Sequence, residues 1–343
     1  MTITRLWQAG AEVGTIGLEW DSVSGAVAST TKAKTGTYSF RASAGNYMRK
    51  SLPAAISQVR CGFHVNHNGA SAGDHPRIAA FRSGSTYIAS VEFDEDAGTI
   101  ALLIGSTTVA TVAAGAFDSL DTWMHCGVDL KLAGSGGWFY FYVNGDPLAW
   151  FDGDTNDAGA TVDGFQLASG ATLDQWSLYA YFDDVFVEET TGESEPLPVP
   201  DYRYELILPN GNGTYNDWTG SDGNSTDNYL LVDERPHDGD TTYVLANGAS
   251  AGLQESYAMG AMTTLPTGWS INSVIALAVA KETSAGSNQI KLLTKVGGSQ
   301  ASSAAMDVGT AYALSWDRRV LQPSGAAWDE SAVNAVEIGH ETV

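Results

Sequence analysis

The chain has 343 residues, of which 43% are apolar and 17% charged, and its formal net charge is -23. The length suits about two domains, and the apolar fraction can fill real cores, which argues against wholesale disorder. The acidity is spread over both halves and repels phosphate backbones, so it argues against nucleic-acid binding while favouring solubility and suiting divalent cations.

Met1 to Trp20 lacks a basic start followed by an apolar core, so no secretory signal is expected. No run approaches the roughly 18 apolar residues of a membrane span, so no membrane insertion is expected either. From Thr37 the chain reads as short strands and turns. TYSFRAS (Thr37 to Ser43) alternates Tyr38 and Phe40 with polar neighbours, and VRCGFHV (Val59 to Val65) sets Val59, Cys61, Phe63 and Val65 on one face. YIASVEF and TIALLIG flank DEDAG, which predicts a hairpin with an acidic loop. WMHCGVDL and WFYFYVNG flank a glycine-rich KLAGSGG, and Asn144-Gly145 signals a further tight turn. YAYFDDVFVEE closes this half. Cys61 and Cys126 fit neither a disulfide framework nor a zinc set and read as small buried apolar residues, with a single bridge between them left open.

EETTGESEPLPVPDY carries Pro196, Pro198 and Pro200 at alternate positions, which predicts an extended connector. The expected division is therefore residues 1–190, a linker over 191–201, and 202–343. In the second part strands are predicted over Arg203 to Pro209, Tyr229 to Glu234, Thr241 to Ala246, Ser273 to Glu282, Asn288 to Val296 and Ala311 to Arg318. A long polar loop runs from Asn210 to Asn228. Asp329 caps a short helix over Glu330 to Ala335, and Val336 to Thr342 is the closing strand. The fold class is all-β: two tandem antiparallel β-sandwiches of jelly-roll type joined by a Pro-rich linker.

Five groups of residues could carry chemistry. His64, His67 and His75 cluster in sequence, but a strand puts His64 and His67 on opposite faces, which argues against zinc. Glu92, Asp94 and Asp96 in VEFDED match the spacing of a Glu-x-Asp-x-Glu hydrolase strand, with Asp in the last position and a turn where the strand should continue. Asp152, Asp154 and Asn156 in FDGDTND alternate hard oxygen ligands and form a candidate calcium loop. Asp157 stands where an EF-hand needs glycine, which excludes that motif. Asp183 and Asp184 are adjacent on a strand, so at most one should point inward. Tyr215 and Trp218 in the polar loop are the expected ligand or interface residues, either stacking a sugar or meeting a neighbouring subunit. No other cofactor is implied.

DTWMHCGVDL, WFYFYVNGDPLAWFDGDT and YAYFDDVFVEE together resemble the second half of a concanavalin A-like or laminin-G-like jelly roll. LWQAGAEVG resembles the start of such domains in tailed-bacteriophage structural proteins. ILPNGNGTYNDWTGSDGNSTDNYLLVDERPHDGDTTYV with AAWDESAVNAVEIG resembles a jelly roll of phage virion proteins. The resemblance implies a non-enzymatic virion structural protein, capsid- or tail-associated, made in the host cytoplasm and working by self-association or by packing against other virion proteins. The alternative is a carbohydrate-binding host-attachment module that takes a host-surface glycan, and the third reading is a glycoside hydrolase. The sandwich itself hosts all three.

Overall fold

The computed structural model describes residues 3–43, 45–68, 75–156, 161–168, 179–246, 250–283 and 288–343. The chain forms two compact units, Met1–Glu205 and Leu206–Val343. It is all-β, and the paired strands are antiparallel throughout, as the sequence pattern predicts.

In chain order the first unit contains β1 (Thr4–Ala9), the short helix α1 (Ile16–Glu19), β2 (Ser22–Ser24), β3 (Val27–Ser29), β4 (Ser39–Ala42), β5 (Tyr47–Ile56), β6 (Gln58–His67) and β7 (Arg77–Ser83). It continues with β8 (Thr86–Asp94), β9 (Thr99–Ile104), β10 (Thr107–Ala113), β11 (Met124–Lys131), β12 (Gly137–Val143), β13 (Asp146–Gly153), β14 (Val162–Leu167) and β15 (Ala180–Glu189). One sheet runs β13-β12-β11-β6-β15-β4-β3 with β1 on β15, and the other runs β10-β9-β8-β7-β14-β5-β2.

Period-two alternation drives the packing. Val59, Cys61, Phe63 and Val65 of β6, Met124, Cys126, Val128 and Leu130 of β11, and Phe139 and Phe141 of β12 are all inside. They meet Ile88, Val91 and Phe93 of β8 and Phe165 of β14 in one contiguous core. Cys61 and Cys126 are free thiols within that core and form no bridge. The DEDAG hairpin pairs Asp94 with Thr99, and Asn144 and Gly145, both at positive φ, form the two-residue turn that joins Val143 to Asp146.

The Pro-rich segment packs down instead of running free. Val199 is buried with Tyr142 and Phe186 on the outward face of the eight-stranded sheet. It fits there because Gly62 and Gly127 leave the space, and a Cβ on either would collide with the Val199 side chain. Leu197 N donates to Asp129 (2.9 Å), Arg60 donates to Pro198 O (3.4 Å), and Tyr204 N donates to Asp184 (2.9 Å). These anchors explain why the first compact unit extends to Glu205, beyond residue 190.

In the second unit β16 (Pro209–Asn216), β17 (Thr219–Gly220), β18 (Val244–Leu245), β19 (Gln254–Met259), β20 (Val274–Ala280) and β21 (Gln289–Val296) are followed by β22 (Ser299–Ser302), β23 (Met306–Asp307), β24 (Ala313–Arg319), α2 (Glu330–Val333) and β25 (Val336–Thr342). The main sheet runs β16-β19-β25-β21-β22 with β23 on β21, and the β20–β24 ladder packs Ala276 against its Ile290 and Leu292. Asp329 caps α2 as expected by accepting from Ala332 N at 2.7 Å. Three expectations change here. Arg203 to Leu208 is not a strand, Asn228–Leu231 is a 3-10 turn where a strand over Tyr229 to Glu234 was predicted, and the start of the polar loop is β16. The Asn- and Gly-rich β16 has little strand propensity of its own. It is held by pairing with β19 and by the buried Glu255 of that strand.

Candidate functional site

The two outward faces of the first unit differ in kind. The middle of the eight-stranded sheet is closed by the 196–204 segment over a charged layer. Glu188 takes Arg5 on one carboxylate oxygen (2.9 and 3.1 Å) and Arg60 on the other (2.7 and 3.2 Å), and all three side chains are buried. Arg5 also lies over the rings of Phe186 and Tyr202 and donates to Tyr204 Oη at 2.7 Å.

The outward face of the seven-stranded sheet carries a concavity of about 260 Å³ lined by Tyr47 and Arg49 of β5, Arg82 of β7, Tyr87 of β8 and Gln166 of β14. Alternation explains the convergence. Met48, Phe81 and Phe165 point into the core, so their chain neighbours Tyr47, Arg49, Arg82 and Gln166 point out. A register shift between Phe81 and Arg82 brings Tyr87 opposite Arg82 on the same face.

The groove is pre-ordered. Arg82 donates to Gln166 Oε1 (2.9 Å) and to Ser85 O, Gln166 Nε2 donates to Tyr87 Oη (3.1 Å), and Arg49 donates to Gly84 O (2.6 Å). The Arg77 and Arg82 guanidiniums lie 4.2 and 4.3 Å from the Tyr87 ring centroid. Arg77 pairs with Glu92 at 3.0 Å, whereas Arg49 and Arg82 form no ion pair among the described residues. Their Nε atoms are buried without an acceptor. Asp163 of β14 accepts Gly84 N of the β7–β8 hairpin at 2.9 and 3.0 Å.

The residues singled out from sequence are distributed elsewhere. Glu92 sits in its cross-strand ion pair, Asp94 accepts Ala97 N (2.9 Å) to form the turn, and Asp96 lies in that turn, so the three carboxylates do not share one strand face. His64 and His67 do point to opposite sides. His67 is stacked on Phe117 in the core, while His75 lies at the surface 3.3 Å from Asp94. Asp152 accepts the Tyr140 hydroxyl (2.9 Å) and Asp154 accepts Asn156 N (3.0 Å), both at the surface, and Asp157 lies outside the described residues. No cluster of three or more potential metal-ligating side chains occurs among the described residues.

Asp183 and Asp184 are both buried, and Asp184 meets His64 on the side of the sheet away from the core. A bulge between Asp183 and Phe186, with Asp184 at φ 51°, breaks the alternation. Asp183 accepts Lys34 N (2.8 Å) and Thr35 N (3.2 Å). Asp184 accepts Thr35 Oγ1 (2.7 Å) and sits 3.1 Å from His64 Nδ1. Burial and the adjoining Asp184 charge push the Asp183 pKa up, against its backbone N–H donors.

In the second unit Trp218 is half-buried. Its ring stands edge-on to His340 with centroids 4.1 Å apart, and its indole donates to Leu253 O at 3.3 Å. The Trp218 and Tyr215 backbone amides donate to Glu255 (3.1 Å) and Ser256 Oγ (3.0 Å). Glu255 also takes Asn228 Nδ2 at 2.9 Å. Burial raises the Glu255 pKa, which the Asn228 and Trp218 donors oppose.

Sequence reading missed the Arg–Tyr groove because β5 and β14 are far in the chain from the β7–β8 hairpin that they join, and polar side chains alternating along a strand ordinarily mean a solvated face.

No family model and no curated protein matches the chain. Among solved structures, a cellulose-induced protein, Cip1, matches at 14% identity over 51% of this chain and 88% of its own, with a TM-score of 0.38. The carbohydrate binding module CBM66 from Bacillus subtilis matches at 13% over 49% and 98%, with a TM-score of 0.31. A sialidase matches at 13% over 48% of this chain with a TM-score of 0.35, and the chain spans only 16% of that protein's length. Likeness this distant says nothing about what this chain binds. The comparisons give the phage-virion expectation no support.

Proposed function

We propose that the chain is a non-catalytic carbohydrate-binding protein and that a saccharide lies on the outward face of the seven-stranded sheet. The observation that carries this is the groove of Tyr47, Arg49, Arg82, Tyr87 and Gln166. Sugar rings present apolar C–H faces and polar hydroxyl edges. Tyrosines offer an aromatic body with a polar tip, and guanidinium and amide groups offer donors and an acceptor to the hydroxyls. The concavity is smaller than the roughly 300–1,000 Å³ of enclosed ligand pockets and lies open on the sheet, which suits a few sugar units and not an engulfed cofactor. A nucleic acid would meet the same side chains, but the overall charge of -23 opposes it. The non-catalytic reading rests on Glu92, which is engaged by Arg77, and on Asp94, which forms its own turn.

The test is binding of the intact chain to a glycan array and to soluble polysaccharides in affinity electrophoresis. The wild type should be retained by at least one glycan class, and Tyr87→Ala should lose about tenfold or more in affinity, because the Tyr87 ring backs Arg82 and its hydroxyl holds Gln166 in the groove. Absence of any glycan signal, or undiminished binding by Tyr87→Ala, would reject the groove as a sugar site. Release of reducing ends that disappears in Glu92→Gln would reject the non-catalytic reading.

A further inference from the structure

We infer that the groove selects an acidic saccharide, one whose ring carries a carboxylate that Arg49 and Arg82 receive together. This rests on the glycan-binding reading and narrows it to a chemical class. The chain has 17 lysines and arginines against 40 aspartates and glutamates, so two arginines without a carboxylate partner on one sheet face make a local positive patch on an acidic molecule. Three arginines, Arg49, Arg77 and Arg82, stand on this one sheet face. Arg77 is neutralised by Glu92. Arg49 and Arg82 have no carboxylate within ion-pair distance among the described residues.

Their donors are also incompletely used. A guanidinium has five N–H groups. Arg49 directs one terminal nitrogen at Gly84 O, and Arg82 directs its two at Gln166 Oε1 and Ser85 O. Both Nε groups are left buried and unpartnered. Those bonds also fix each guanidinium in place, so the remaining donors are oriented before a ligand arrives. A fixed fork of this kind fits a planar carboxylate, and the charge-assisted bonds it makes are about twice as strong as neutral ones. Tyr47 of β5 lines the groove and offers its ring to the apolar side of the sugar, while the Tyr87 ring of β8 backs the Arg77 and Arg82 guanidiniums and holds them in place. Gly164 of β14 lies beneath Arg49, where a Cβ would sit 3.5 Å from Nε, so the floor of the groove is low at this point.

Long-range electrostatics oppose an acidic ligand, because the molecule as a whole is strongly negative. That repulsion decays over about 8 Å at physiological ionic strength, whereas the two guanidiniums act at contact. Asp163 of β14 is held by Gly84 N of the β7–β8 hairpin.

The experiment titrates the full chain by calorimetry with matched pairs: oligogalacturonate against its methyl ester, and sialyllactose against lactose, with sulfated dextran as a third anion. At least one acidic member should bind roughly tenfold or more tightly than its neutral partner. Arg49→Gln should remove that preference, Arg49→Lys should restore only part of it, and Tyr87→Ala should weaken both members of the pair. Melting temperatures report whether each variant is folded, and Arg82→Gln provides a second route to the same loss. Equal binding of acidic and neutral partners would overturn the carboxylate assignment and leave glycan binding intact. Preference for sulfated dextran over every carboxylate would overturn it in favour of sulfate. No binding to any saccharide would reject both this inference and the reading beneath it.

Discussion

Glu188 shows how much depends on single residues in this sandwich. Its two oxygens each meet a guanidinium, from Arg5 and Arg60, and the three side chains are 3–6% exposed. Removing a buried charge from such a set leaves the others desolvated and uncompensated, which typically costs about 3–5 kcal/mol. Glu188→Ala should therefore lower the unfolding free energy of the first unit by about that amount in urea titrations. The triple replacement Arg5→Met, Glu188→Leu, Arg60→Met should recover most of the loss, because it removes the charges along with the attraction. A triple variant no more stable than the single one would mean that the network does more than balance its own desolvation. The bulge at Asp184 makes a related point. Asp183 and Asp184 are both buried where the backbone leaves the pleat, and two adjacent acids in a sequence give no sign of it.

At the level of elements, the 196–204 segment is the instructive case. Its proline spacing predicts an extended path, and the residues between the prolines hold it to the sheet. One of its anchors is sensitive to pH. His64 is buried between Asp184 and Asp201, each at 3.1 Å. Burial disfavours the imidazolium, but the two carboxylates outweigh it and raise the His64 pKa. In Asp201 burial pushes the pKa up and the His64 and Arg203 bonds bring it well down. A histidine with a raised folded pKa contributes stability that is fully present below its unfolded pKa, about 6.5, and lost as pH rises through the folded value. The difference in melting temperature between wild type and His64→Asn should accordingly be largest near pH 6 and shrink by pH 9. His125, ring-to-ring with His64 at 5.3 Å, behaves in the opposite way. Burial, then the His64 charge, holds its pKa down at about 4, so its contribution is lost as pH falls from 6.5 toward 4. A pH-independent difference for His64→Asn would show that the ion pairs are not what His64 contributes.

Strands that are long, apolar on alternate positions and punctuated by turns were legible. β6, β11 and β12 lie where the alternation of Val59 to Val65, Trp123 to Leu130 and Trp138 to Val143 puts them, and β25 begins at Val336 as predicted. β16 was not legible, because Asn210, Gly211 and Gly213 look like loop and only the pairing with β19 makes them a strand. The groove was not legible either. Its floor needs β5, β14, β7 and β8 side by side, an order that no local pattern encodes.

For the whole molecule, the same reasoning locates where the chain can be divided. A cut at the linker read from sequence leaves the first unit without Val199, Pro198 and Tyr204, and so exposes the space over Gly62 and Gly127 and removes partners from Arg60, Asp129 and Asp184. A cut after Glu205 keeps all of them, and the groove residues Tyr47 to Gln166 lie entirely within the same unit. The fragment 1–205 should therefore melt cooperatively, while 1–195 should melt at least about 5 °C lower, since each kcal/mol shifts a domain of this size by roughly 2–4 °C. If 1–205 is the unit that binds sugar, it should also retain the parent chain's saccharide affinity within about twofold, an energy difference of under about 0.5 kcal/mol. Equal melting temperatures for the two fragments would mean that the 196–204 segment only lies against the sheet and adds little to holding it.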